Sequence, residues 1–138
     1  MNHPFDWLDA FLRAKPGAEY DYKEEWQWHR YQVRGKLFAA LCEPEHKYQT
    51  YGGHPLLNLK CDPRLSELLQ AEHPEILPGF YSDKRHWIAA LLDGNLPEET
   101  LRQLCDASYA LVTAKLPKKV QRELGLIPSA ASTSKGKD

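Results

Sequence analysis

The segment from Leu37 to Cys42 restricts the possible folds of this chain strongly, because all of its residues are apolar. Such a short run, bounded by polar residues, is typical of a strand that is covered on both faces. Trp28 to Val33 also has strand character, and Arg34-Gly35 between the two runs predicts a tight hairpin turn. The chain must therefore build a sheet with Leu37 to Cys42 in its interior.

Further strands are predicted on either side of this hairpin. Tyr20 and Tyr22 alternate with charged residues, which favours a strand before it. Leu56 to Cys61 alternates as well, and places Asn58 and Lys60 on its polar face. Lys84 to Ile88 is predicted as one more short strand.

Prolines and capping residues predict where the helices begin and end. Asp62 is a good N-cap with Pro63 at the first helical position, and Glu98 and Glu99 complement the positive end of the helix that follows Pro97. The predicted helices run from Pro4 to the Pro16-Gly17 stop, from Asp62 to His73-Pro74, from Pro97 to Pro117, and from Lys118 to Leu124.

This order of elements predicts an α+β fold, in which helices pack on one face of an antiparallel sheet in a two-layer sandwich. With 138 residues the chain is expected to form a single domain over residues 1–127. Residues 43–55 are predicted to be a long loop. Ser, Ala, Lys and Gly dominate residues 128–138, so we expect a disordered C-terminal tail.

Composition excludes several classes of protein. The formal net charge is −1, so nucleic acid could be bound only through a local basic surface. No stretch approaches the ~20 apolar residues of a membrane span, and the N-terminal residues do not resemble a signal peptide. Three cysteines without a CxxC pair indicate reduced thiols and a cytoplasmic location.

No catalytic or metal-binding motif stands out. The phosphate-binding, GxSxG and HExxH signatures are absent from the sequence. Cys42, Cys61 and Cys105 lie in apolar segments, so we interpret them as buried thiols rather than nucleophiles. His46, His54 and Cys61 lack the spacing of a zinc site, and we predict no metal and no cofactor.

Several sequence blocks together resemble the MmcQ/YjbR family of small bacterial proteins. The resemblance extends from Lys15 to about Leu124 and implies a fold similar to that of frataxin/CyaY, no enzymatic activity, and the double-wing DNA-binding label of that family. The blocks are "KPGAE" (15–19), "GKLFA" (35–39), "LNLKCDP" (57–63), "PGFYSDKRHW" (78–87), "LLDGNLP" (91–97) and "DASYALVTAKLPKK" (106–119).

Basic residues supply the candidate contacts to double-stranded DNA, since lysine and arginine bind phosphates without regard to sequence. Lys60 would join the others only if its strand pairs with the one after Lys84. A solvated surface, or cations that cap a helix C-terminus, explains the same residues equally simply. The candidates are Lys60, Lys84, Arg85, His86, Lys118 and Lys119.

Two other functions remain open at this stage. An unknown protein partner could bind an exposed aromatic patch of Trp26, Trp28, Tyr48 and Tyr51. A small molecule or substrate could instead occupy a pocket. That pocket would be lined by Asn58, His86, Trp87 and Tyr109. In the simpler alternatives, Trp87 is a core residue and Asn58 hydrogen-bonds loop backbone.

Overall fold

Ten helices and strands follow one another in the computed structural model, which describes residues 4–45, 51–80 and 83–127. In chain order they are α1 (Pro4–Arg13), β1 (Ala18–Lys23), β2 (Trp28–Val33), β3 (Lys36–Cys42), β4 (Leu56–Lys60), α2 (Pro63–Glu72), β5 (Ile76–Pro78), β6 (Trp87–Leu91), α3 (Glu98–Thr113) and α4 (Lys118–Glu123).

The strands form an antiparallel sheet in the order β1-β2-β3-β4-β6-β5. The predicted interior position of Leu37 to Cys42 is confirmed, because β3 pairs with β2 on one side and with β4 on the other. The predicted hairpin is confirmed too. Arg34 and Gly35 both adopt positive φ, at 50° and 79°, as a two-residue turn between twisted strands requires.

The two faces of the sheet carry separate apolar clusters. On the first face, which we call the helix face, Ala39, Leu41 and Leu57 pack against helical side chains such as Leu104 and Val112. Every helical residue in the described clusters lies on this face, which agrees with the predicted α+β arrangement. The second face carries a smaller cluster. Its buried members are Trp28, Ala40, Cys42, Leu56, Phe80 and Ala89.

A β-bulge at Phe38 lets β3 contribute two consecutive side chains to the helix face. Tyr31 pairs with Ala39 and Gln32 with Leu37, so Phe38 is the extra residue. Both Phe38 and Ala39 are fully buried in the core of the helix face. Alternation alone would have placed them on opposite faces.

Ser108 of α3 closes the adjoining gap between β3 and β4. The paired residues of these strands extend no further than Ala39 and Leu59. At the next position the Ser108 hydroxyl donates to the Phe38 carbonyl at 2.6 Å and accepts from the Lys60 N–H at 2.9 Å. One buried side chain thus satisfies a donor and an acceptor on different strands and fixes α3 against the sheet.

The structure corrects the predicted strand at Lys84 to Ile88. β6 begins only at Trp87, because Asp83 accepts from the Arg85 N–H and contacts the His86 ring, which holds residues 83–86 in a turn. β5 (Ile76–Pro78) was not predicted. It forms an edge strand, where a proline is tolerated.

The second helix begins as predicted. The Asp62 carboxylate accepts from the Arg64 N–H at 2.9 Å, and Pro63 occupies the first turn. The predicted tail at 128–138 lies outside the described residues, as does part of the predicted loop. Within the described part of the chain, no helix is long and apolar enough to cross a bilayer.

Ser108→Ala is expected to lower the free energy of unfolding by about 2 kcal/mol, because it removes the partner of the buried Phe38 carbonyl and of the partly buried Lys60 N–H. Thr113→Val is the matched control. Its hydroxyl bonds only carbonyls of its own helix, so we expect a loss below about 1 kcal/mol. Urea denaturation measures both variants, and equal losses would contradict the bridging role of Ser108.

Candidate nucleic-acid interface

Antiparallel pairing brings basic residues from separate turns to one end of the sheet. The start of β3 lies beside the end of β4, because Ala39 pairs with Leu59. The end of β4 lies beside the start of β6, because Lys60 pairs with Trp87. The condition set for Lys60 by the sequence is therefore met, and Lys60 lies next to the turn of residues 84–86.

Helix α4 lies at the same end. Gln121 donates to the carbonyl of Ala114, a residue that lines a groove with Lys60. Further along α4, Glu123 lies 3.4 Å from the Arg34 guanidinium in the β2–β3 turn. Lys118 and Lys119 form the start of the same helix, just before these two contacts, and are exposed.

We call this surface the basic end. Its carboxylates include Glu19, Asp62, Asp83 and Glu123. Its basic residues are Arg34, Lys36, Lys60, Lys84, Arg85, His86, Lys115, Lys118, Lys119 and Arg122.

The opposite end of the sheet carries the reverse charge, and we call it the acidic end. It contains the turn after β1, the residues after β3, and the first turn of α3, with Lys23 and Arg102 among its cations. Its described carboxylates are Glu24, Glu25, Glu43, Glu45, Glu72, Glu75, Asp93, Glu98 and Glu99. A nearly neutral chain is thereby divided into two oppositely charged ends.

The candidate cations differ in how firmly they are held. Lys84 donates to the Gly79 carbonyl at 2.8 Å, so its ammonium secures the preceding loop. His86 contacts Asp83 at 2.6 Å, and this hydrogen bond lowers the pKa of the Asp83 carboxyl. Arg85, Lys118 and Lys119 are exposed and form no ion pair with any carboxylate that the structure describes. These side chains are the most available for a phosphate.

The predicted pocket of Asn58, His86, Trp87 and Tyr109 does not form, because its members lie on opposite faces of the sheet. Asn58 is buried on the second face, where its carbonyl accepts from the Phe80 N–H at 3.0 Å. Tyr109 is buried on the helix face and donates to the Pro16 carbonyl. Trp87 is half-buried in β6 and His86 is exposed at the turn. The alternative role of Asn58, bonding loop backbone, is the one observed.

The predicted aromatic patch is mostly covered. Trp28 is buried, and Tyr51 packs on Phe80 with ring centroids 4.9 Å apart. Trp26 keeps 57% of its surface exposed and lies at the acidic end. Tyr48 lies outside the described residues.

The three cysteines have the environment of unreactive thiols. All are buried, and burial raises the pKa of Cys42 to about 12, of Cys61 to about 11 and of Cys105 to about 12. A nucleophilic cysteine needs the opposite shift. Within the described residues, no group of three or more His, Cys, Asp or Glu side chains is placed to hold a metal ion.

One cluster of titratable residues was missed by the sequence analysis. Tyr31 donates to Asp9 at 2.7 Å, Arg13 donates to the same oxygen at 2.8 Å, and the Tyr20 hydroxyl lies 2.7 Å from His29 Nδ1. Burial lowers the pKa of His29 against the opposing charge of Asp9. The signal available in the sequence was weak, since α1 had to be placed against β2 first.

The comparisons with known proteins agree with this fold. The family model described as YjbR matches residues 13–111. The uncharacterised protein YjbR of Escherichia coli K12 is 34% identical over 117 residues, which cover 85% of this chain and 93% of that protein. The uncharacterised protein YyaQ of Bacillus subtilis is 39% identical over 61 residues, 44% of this chain and 51% of that protein.

A solved structure shares the architecture over nearly the full length. The crystal structure of Deinococcus radiodurans protein DR2400, a DUF419 domain, superimposes with a TM-score of 0.75 at 29% identity. The match covers 96% of this chain and 97% of that one. A Pseudomonas syringae protein follows with a TM-score of 0.67 at 25% identity, over 80% of this chain and 98% of that one.

Fold and surface together define a small α+β protein with an open, six-stranded antiparallel sheet whose two ends differ in charge. The chain belongs to the YjbR family, as its sequence blocks predicted.

His29 is expected to make stability depend on pH. Because its pKa is lower in the folded protein than the ordinary value, the unfolded chain binds the proton more readily. The contribution of His29 to the free energy of unfolding is therefore complete above about pH 6.5, and it declines as the pH falls toward the pKa of His29 in the folded protein. Denaturation midpoints at two pH values on either side of this range should show a smaller decline in His29→Gln than in the wild type. An identical decline would contradict the assignment.

Proposed function

We propose that the protein is a non-enzymatic, cytoplasmic module that binds double-stranded DNA through the phosphates, using the basic end. The observation that carries the proposal is the register of β3, β4 and β6, which collects cations from distant parts of the sequence at one end of the sheet. We also propose what the family resemblance implies, namely that the fold is similar to that of frataxin/CyaY and that the double-wing DNA-binding label applies to this chain.

The low net charge does not oppose binding at this surface. β3 has seven residues and thus spans about 23 Å, which separates the acidic end from the basic end. At physiological ionic strength the Debye length is about 8 Å, so the carboxylates of the far end are largely screened from a phosphate at the near end. Local charge then decides the interaction.

The available contacts favour recognition of the phosphate backbone over recognition of bases. Arg85, Lys118 and Lys119 are exposed cations on a turn and on a short helix. Lysine and arginine on a surface of this kind neutralise phosphates without reading a sequence. We therefore expect little preference between duplexes and a dissociation constant of about 10–100 µM at physiological salt.

Two double variants, each of which removes two positive charges, test whether the basic end is the DNA interface. The double variant Lys118→Ala/Lys119→Ala should weaken binding to a random 20-base-pair duplex about tenfold at low salt. It should also reduce the slope of the logarithm of the affinity against the logarithm of salt concentration by about two. Fluorescence anisotropy of a labelled duplex gives both quantities.

The matched control is Lys23→Ala/Arg102→Ala, which removes the same charge at the acidic end. Its affinity should remain within about twofold of the wild type, because these cations lie beyond screening distance. A wild-type protein that does not bind duplex DNA, or binds it independently of salt, would exclude the proposal. Equal losses in the two double variants would exclude the basic end as the interface.

A further inference from the structure

β1 presents an open edge of the sheet. Within the described part of the chain, β1 pairs with β2 alone. The other edge strand, β5, has only three residues and ends in a proline. β1 has six residues and no proline, and Glu19, Asp21 and Tyr22 are exposed along it. The backbone of such an edge can accept one more strand.

The phase of the β1–β2 ladder shows which backbone groups face this edge. Ala18 lies opposite Val33, but its N–H donates to the Lys15 carbonyl at 3.0 Å, so the two residues are not a hydrogen-bonded pair. Hydrogen-bonded and non-hydrogen-bonded pairs alternate along an antiparallel ladder. The N–H and C=O groups of Tyr20 and Tyr22 therefore point away from β2, toward the open edge.

We propose that β1 pairs antiparallel with β1 of a second copy of this chain, so that two six-stranded sheets join about a two-fold axis. An axis perpendicular to the sheet keeps the two faces in place, so directly opposed residues differ in number by zero or by two. With the axis at Asp21, Tyr20 of each copy bonds Tyr22 of the other through both backbone groups.

The charges of β1 select this position of the axis. With Asp21 on the axis, Glu19 of each copy lies opposite Lys23 of the other, and opposite charges across strands stabilise a pairing. An axis at Tyr20 would instead oppose Glu19 to Asp21, which are both carboxylates. An axis at Tyr22 would place Tyr20 opposite the turn after β1 and lose a hydrogen-bonded pair.

Glu19 and Lys23 are available for this contact. Glu19 forms no ion pair with any cation that the structure describes. The Lys23 ammonium lies 3.8 Å from Glu25, whose side chain is 72% exposed. An exposed pair of this length contributes little free energy, so Lys23 can exchange Glu25 for a carboxylate of the second copy.

The remaining side chains tolerate the pairing. Asp21 lies opposite its own copy, but Arg30 donates two hydrogen bonds to its carboxylate, at 2.8 and 2.6 Å, and neutralises it within each chain. Tyr22 is 46% exposed and meets Tyr20 of the second copy on the helix face. Pairing thereby shields an exposed aromatic ring from water.

The charged ends of the molecule favour the same arrangement. β1 runs from the basic end, beside the β2–β3 turn, to the acidic end, at the turn that follows Lys23. Antiparallel pairing of two copies therefore places the basic end of each beside the acidic end of the other. This attraction weakens as salt is added. The inference does not depend on DNA binding.

Sedimentation velocity at increasing protein concentration tests the association. A small interface of this kind predicts a dimer with a dissociation constant of about 100 µM at low salt. Glu19→Lys and Lys23→Glu should each weaken the dimer at least about tenfold, because the symmetry turns two attractive pairs into repulsive ones. An equimolar mixture of the two variants should associate again, since each substituted position then faces the opposite charge.

Glu67→Lys is the matched control, with the same change of charge on an exposed residue of α2, which packs near the other edge of the sheet. Its affinity should stay within about twofold of the wild type. Amide hydrogen exchange of Tyr20 and Tyr22 should slow as the concentration rises. A monomer at every concentration, equal association of wild type and Glu19→Lys, or a mixture that stays monomeric would overturn the proposal.

Discussion

Antiparallel pairing of β4 with β3 on one side and β6 on the other decides the arrangement of the rest of the molecule. β4 is buried on both faces except at its last residue, Lys60, so the pairing register is fixed by apolar side chains on two sides. A slip by one residue would move Leu57 and Leu59 off the helix face and place the polar side chain of Asn58 in the apolar core of that face. The register also determines which turns meet at each end of the sheet, and so where the charges lie.

The two faces of this sheet are anchored by different polar side chains. On the helix face, Ser108 joins α3 to the bulged β3 and to the end of β4. On the second face, Asn58 of β4 holds the backbone of Phe80, whose ring covers the small residues Ala40 and Ala89. The basic turn of residues 83–86 is thus attached to the sheet through a segment that Asn58 positions.

Much of the fold could be predicted from local sequence, but the candidate site could be predicted only in part. An apolar run identified β3, and the Asp62-Pro63 pair identified the start of α2, because both signals depend on neighbouring residues alone. The predicted pocket failed because Asn58 and Tyr109 could be assigned to faces only after the strands were paired. The bulge at Phe38, which changes the side-chain alternation of β3, left no signal in the sequence.

From the sequence, Lys60 was expected to join the other cations only if its strand pairs with the strand after Lys84. The register of β4 and β6 fulfils this condition. The contact of the Phe80 ring with Trp28 was not predicted, since Phe80 lies in a distant segment of the chain. Trp26 and Trp28 were predicted to share one exposed aromatic patch, but the sequence alone could not show that Trp28 is buried and Trp26 exposed. The candidate interface thus depends on contacts between residues far apart in the chain.

Backbone amide chemical shifts recorded during titration with duplex DNA show which end of the sheet contacts the duplex, because they report on both ends in one experiment. Binding by the basic end predicts perturbations concentrated around the β2–β3 turn, Lys60, residues 83–87 and the first turn of α4, which disappear at high salt. Perturbations centred on the acidic end, or spread evenly over the sheet, would contradict it.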